Sequence, residues 1–189
     1  MKVMEAIMLT IQELNSDSIS FKDAKRIYLN SFPQKEQLPA EILINNIALG
    51  KAKFSGIFSE SQLVGIVYYT TYENLAYIFY FAIDSTIQSK GYGREAMKTI
   101  RKHFANYKII LLVEEVREDA ENNEQRKSRK RFYLRNGFVG SGKIMTEGGV
   151  RYEMLHSKNA DVSVKEYKKV TDYFFEDNDN NYRENEPAV

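Results

Sequence analysis

Between residues 52 and 83 apolar and polar positions alternate with period two, in a stretch rich in β-branched and aromatic side chains. AKFSGIFSE, QLVGIVYYTTYE and LAYIFYFAI read as three strands joined by short polar turns, an antiparallel meander. Upstream, Ala24, Ile27, Tyr28 and Phe32 recur at helical spacing. Ser20, with Asp23 three residues on, reads as the capping serine of that helix, and Pro33 stops it. QKEQLP is predicted as a loop, and Pro39 as the first residue of a second helix, AEILINNIAL, ended by Gly50. A first strand is expected over residues 3–14.

After the meander comes DSTIQSKGYGREAM, then helical spacing in GREAMKTIRKHF, then a buried-type strand, KIILLVEEV. Strand, glycine turn, helix and strand make one βαβ unit, which demands a parallel pair. A charged helix is predicted over residues 122–136, stopped at Asn136-Gly137. FVGSGKIMTE and GVRYEMLH then form a hairpin around Gly148-Gly149. Residues 1–158 are thus expected to form one domain, and residues 159–189 an added helix (VSVKEYKKVTDYFFE) with a disordered acidic tail.

Composition narrows the chemistry. With 189 residues, 43% hydrophobic and 28% charged, the chain suits a single soluble domain. No apolar run is long enough to span a bilayer, and the apolar start lacks the cleavage site of a signal peptide. A net charge of +1 gives no general pull toward nucleic acid, and the RKSRKR run reads as a solvated helix face. There is no cysteine, which removes disulfides, thiolate zinc sites and a cysteine nucleophile, and suits a cytoplasmic protein. Only His103 and His156 are present, so no metal centre is expected.

Gly91 and Gly93 stand where a helix begins, and unpaired amides at such a point attract phosphate. Gly91-Tyr92-Gly93-Arg94-Glu95-Ala96 satisfies the G-x-G-x-x-A pattern of a dinucleotide site, with Glu114 about twenty residues on. Asp84 to Lys90 nevertheless separate the strand from the first glycine, and only one βα crossover is present. An NAD(P)-binding enzyme is therefore the third reading.

Gln88-Ser89-Lys90-Gly91-Tyr92-Gly93 resembles the Q/R-x-x-G-x-G/A signature of the GNAT superfamily of acyl-CoA N-acyltransferases. Arg131-Phe132-Tyr133-Leu134-Arg135-Asn136-Gly137-Phe138 is similar to its fourth-helix motif, and the element order β-α-α-β-β-β-α-β-α-β-β is also the family's. The resemblance implies an α+β fold, a mostly antiparallel central sheet flanked by helices. It implies acetyl-CoA as co-substrate and a primary amine of a small molecule or peptide as acceptor, and a homodimer is compatible with it. A non-catalytic acyl-CoA-binding module on the same fold is the rival from another class.

By the same resemblance the backbone of Phe81, Ala82 and Ile83 binds the pantetheine and the thioester oxygen. Gln88, Ser89, Lys90, Gly91, Tyr92, Gly93 and Arg94 cradle the pyrophosphate. Tyr133 protonates the leaving thiolate. Glu114 and Glu115 are equal candidates for the base, and strand alternation lets at most one face the cleft. Where many members carry a pantetheine-contacting asparagine, this chain has Arg126, so Arg126 is a candidate for a cofactor phosphate and Asn122 or Asn123 for the missing asparagine. Acceptor recognition is implied for residues 33–40 and 145–151.

Overall fold

A computed structural model describes residues 7–88, 90–158 and 160–177. Its elements run β1 (Leu9–Glu13), α1 (Ile19–Ser31), a 3-10 turn (Gln34–Glu36), α2 (Ala40–Ala48), β2 (Ala52–Ser59), β3 (Gln62–Tyr72) and β4 (Leu75–Ile83). There follow a second 3-10 turn (Ser85–Ile87), α3 (Tyr92–His103), β5 (Lys108–Glu114), α4 (Asn123–Arg135), β6 (Phe138–Glu147), β7 (Val150–Ser157) and α5 (Val164–Phe175). The seven strands form one sheet in the order β1-β2-β3-β4-β5-β7-β6.

The meander at 52–83 is present, and so is the parallel pair, β4 with β5, which is the one parallel pairing in an otherwise antiparallel sheet. This is an α+β sheet, not the doubly wound parallel sheet a dinucleotide fold needs. The β6–β7 turn has Gly148 at φ 54° and Gly149 at φ 76°, the left-handed pair that a two-residue hairpin loop demands.

Strand alternation divides the core between the two faces of the sheet. On one face Ile109, Leu111 and Val113 of β5 meet Ala96, Met97, Ile100 and Phe104 of α3 and Tyr133 of α4. On the other, Ala24 and Ile27 of α1 pack with Phe54, Tyr68 and Tyr80, while Leu75, Tyr77 and Ile110 pack with Tyr167 and Val170 of α5. The helix expected as an addition beyond residue 158 is therefore part of the core. Phe174 is fully buried, 4.3 Å from Phe79 between ring centroids, and Ser163 and Glu166 close a capping box at the helix start.

Three local expectations are corrected. Ser18, not Ser20, caps α1, its hydroxyl accepting from the Phe21 amide, which leaves Asp23 beyond the capping position. QKEQLP is not an open loop, because Gln34–Glu36 wind into a 3-10 turn. Pro39 is the N-cap of α2 and not its first helical residue. The first strand runs Leu9–Glu13, with residues 7, 8 and 14 outside it; residues 3–6 of the expected strand, and the acidic tail from residue 178, lie outside the described residues.

Candidate active site

The β4–β5 ladder runs through four rungs, the last joining Ile78 to Leu111. On the β3 side, the register slips between Tyr68 and Tyr69, so Phe79 is the extra residue of a β-bulge. A bulge bends its strand, and here the bend falls one residue past the last rung. Beyond it β4 stays with β3 while β5 stays with β7 through Glu114. The strands part, and the β5-facing backbone of Phe79–Ile83 opens onto a cleft of about 830 Å³.

Past Ile83 the chain is tied down. Asp84, 6% exposed, pairs with Arg26 of α1 at 2.7 Å and accepts from the amide and hydroxyl of Thr86. Those bonds, Arg26 first, hold its carboxyl below the usual carboxylate range. The side-chain amide of Gln88 donates to the Ile83 carbonyl at 3.1 Å. Gly91, at φ 88°, then caps α3 in a left-handed conformation that a side chain would strain. The first helical bond is from the Glu95 amide to the Gly91 carbonyl, so the Tyr92, Gly93 and Arg94 amides have no helical acceptor. A Cβ on Gly93 would sit 3.3 Å from the Phe132 ring, which itself stacks on Phe81 at 6.2 Å.

Ala82, Gln88 and Gly93 line the cleft together with Phe81 and Ile83. Lys90 and Arg94 are exposed, and Tyr92 packs against the α3-side core. Ser89 lies outside the described residues. Tyr133 also lines the cleft. Burial raises its phenol to about 12, and its hydroxyl makes no hydrogen bond among the described residues.

The two glutamates separate as strand alternation requires. Glu114 lines the cleft, whereas Glu115 is bonded by Arg151 at 2.6 Å, which lowers its pKa. Glu114 is itself clamped: Oε1 meets Arg126 at 2.9 Å, Oε2 meets Arg129 at 3.2 Å, and the Asn122 amide reaches both. Arg126 is thus spent on a buried carboxylate. It also donates to Asn122 Oδ1 at 2.7 Å and to the Glu115 carbonyl at 2.9 Å. It does not line the cleft, and neither does Asn123, whose buried Oδ1 borders a separate shallow hollow. Over the first turn of α4, the side of the helix that Tyr133 shares meets the end of β5 instead of the gap between strands. Gln125, Ser128, Arg129 and Phe132 face the gap.

Sequence reasoning missed Glu36. The Tyr80 hydroxyl donates to the Glu36 carbonyl at 3.0 Å and accepts from the Leu38 amide at 2.8 Å, pinning the 3-10 turn over the cleft. The Glu36 side chain is 8% exposed and its nearest cation is Arg129 at 3.7 Å. No spacing rule marks this residue, although it falls in the acceptor segment 33–40.

The parted β4–β5 pair thus leads toward a glycine-capped helix, and Tyr133 lines the same cleft. The acetyltransferase (GNAT) family profile matches residues 20–138. The chain belongs to the GNAT acetyltransferase family. Curated proteins give no sequence match. Among solved structures the chain is similar to a putative GNAT acetyltransferase from Bacteroides thetaiotaomicron, with 24% identity, TM-score 0.73, and coverage of 88% of this chain and 96% of that one. It is similar too to a Bacillus subtilis acetyltransferase in complex with CoA, at 14% identity and TM-score 0.55 over 79% of this chain and 98% of that one. A third is the Salmonella typhimurium acetyltransferase that modifies the N-terminal serine of ribosomal protein L7/L12, at 14% identity and TM-score 0.57, covering 80% and 95%. These likenesses show a shared GNAT fold. Among the described residues no helix is long and apolar enough to cross a membrane.

Proposed function

We propose that this GNAT acetyltransferase moves an acetyl group from acetyl-CoA to a primary amine of a small molecule or peptide, in the cytoplasm. The observation that carries the reading is the parting of β4 and β5 after Ile78 and Leu111, with the Gly91–Gly93 turn at the end of the opened strand. The B. subtilis relative is a CoA complex, which supports the same ligand here.

The geometry fits the cofactor's parts in turn. The amides of Tyr92, Gly93 and Arg94 offer an anion site for the pyrophosphate, each bond to a charged oxygen contributing about 1.5–3 kcal/mol. Lys90 and Arg94, exposed on either side of the glycine turn, add positive charge. Phe79–Ile83 present strand-edge groups to the amide-bearing pantetheine, as a missing strand would. An amide there, aimed at the thioester oxygen, polarises the carbonyl, and such a donor contributes about 2.7–4 kcal/mol to a barrier.

Chemistry follows as the amine nitrogen forms its bond to the carbonyl carbon and the C–S bond breaks. The proton lost by nitrogen ends on sulfur, giving amide and free thiol. With its phenol near 12, Tyr133 is protonated at neutral pH. Complete transfer to a thiol of about 8.5 runs uphill, so its hydroxyl serves as hydrogen-bond donor to the developing thiolate until the nitrogen's proton arrives.

The test is release of free CoA thiol from acetyl-CoA on adding a panel of primary amines. Amine-dependent release supports transfer. Tight acetyl-CoA binding with no release for any amine favours the non-catalytic module.

A further inference from the structure

We propose that Glu36, held over the cleft by Tyr80, is the carboxylate that meets the acceptor as an ammonium ion and takes the proton that frees its nitrogen for attack. This rests on the acetyl-transfer reading above.

The position is fixed before any ligand arrives. The Glu36 amide donates to the Pro33 carbonyl at 2.8 Å, and the Gln37 side chain donates to the Phe32 carbonyl at 2.7 Å. The Phe32 and Tyr80 rings pack edge to face at 4.9 Å beneath the turn. What is fixed also faces the cleft: the Glu36 side chain, 8% exposed, lines it, and its carboxylate accepts no hydrogen bond among the described residues, with Arg129 at 3.7 Å as its one ion-pair contact there. A carboxylate in that state has acceptor capacity to spare, and an ammonium ion supplies both charge and N–H groups.

Its surroundings suit a base. From β5 the Glu114 carboxylate repels it; from α4 Arg129 and, more distantly, Arg126 attract it, as does Lys35 from its own turn. Desolvation comes first and Glu114 second, and together they outweigh the cations and raise the carboxyl above its ordinary value. A raised carboxylate is a better proton acceptor than a free one near neutral pH. Glu114 cannot take the same part, because both of its oxygens already accept from Arg126, Arg129 and Asn122.

The step balances. One N–H bond of the ammonium breaks as an O–H bond forms on Glu36, the neutral amine attacks the thioester carbon, and Glu36 later returns its proton to solvent. An acceptor read in this way is a cation at neutral pH.

The experiment uses the full chain, with tyramine as the probe amine. Carbon-13 NMR of the glutamate δ-carboxyls, with the Glu36 resonance identified by its loss in Glu36→Gln, follows its titration, and calorimetry follows acetyl-CoA binding. Titration above the ordinary range of about 4.3 is expected. So is a roughly 100-fold fall in tyramine kcat/KM in Glu36→Gln, with acetyl-CoA affinity unchanged and partial recovery in Glu36→Asp. An ordinary Glu36 titration, or wild-type turnover by Glu36→Gln, overturns the proposal. Should the wild type not turn over tyramine, the titration decides alone. A wild type that fails to bind acetyl-CoA overturns the acetyl-transfer reading instead.

Discussion

Ile78 and Leu111 are the last residues at which β4 and β5 are neighbours in the sheet, and Phe79 bulges immediately after them. One irregularity of one residue therefore opens the gap that the glycine turn ends. Sheet and site are made by the same feature.

Gly93 tests the far end of the gap. Its missing Cβ leaves room beside the Phe132 ring, at 3.3 Å from where that atom would lie. Gly93→Val should push Phe132 against Phe81 and cover the amides. Acetyl-CoA affinity is expected to fall about tenfold or more, equivalent to ~1.4 kcal/mol, with the unfolding midpoint little changed. Calorimetry and a thermal melt separate the two effects.

Tyr133→Phe removes only a hydroxyl that bonds to nothing among the described residues. Stability should hold or rise slightly. Loss of one charge-assisted bond to the leaving sulfur should lower kcat about 10- to 100-fold, without weakening acetyl-CoA. Parallel kinetics and calorimetry on the variant check both halves of that expectation.

Glu114, 1% exposed in its side chain, balances two guanidiniums. Glu114→Ala strands Arg126 in a site where it is only 13% exposed. A loss of about 3–5 kcal/mol is expected for breaking a buried pair from one side, read as a drop in the urea midpoint.

Glu36 carries the opposite sign. Its folded pKa is raised, so the stability linked to its protonation is full below the unfolded value and is lost as pH rises through the folded one. Glu36→Gln should therefore melt higher than wild type at neutral pH, and the difference should vanish below about pH 4. A residue kept only for the fold would show a lower melt instead.

Phe174 asks whether α5 belongs to the fold. It is fully buried against Phe79 and Tyr68. Phe174→Ala is expected to cost about 3–5 kcal/mol. A loss near zero by chemical denaturation would mean that the helix is dispensable.

Period-two alternation made β2, β3 and β4 legible, and the parallel β4–β5 pair followed from one glycine turn between two apolar strands. Gln88, Gly91, Gly93 and Tyr133 stood out because each sits in a short motif, and the structure brings Gln88, Gly93 and Tyr133 to one cleft. Helical spacing places Arg126 on the side of Tyr133, and at the start of α4 that side meets Glu114. The role of α5 was hidden because a C-terminal amphipathic stripe does not say which surface it covers. Glu36 was invisible because its turn is held by Tyr80, 44 residues away in sequence.

The first measurement is a calorimetric titration of the full chain with acetyl-CoA, with NAD and NADP as controls. Saturable one-to-one binding of acetyl-CoA, weakened in Gly93→Val, is the expected result. No heat with acetyl-CoA, or binding of a nicotinamide dinucleotide in its place, would contradict the assignment of the β4–β5 gap to coenzyme A.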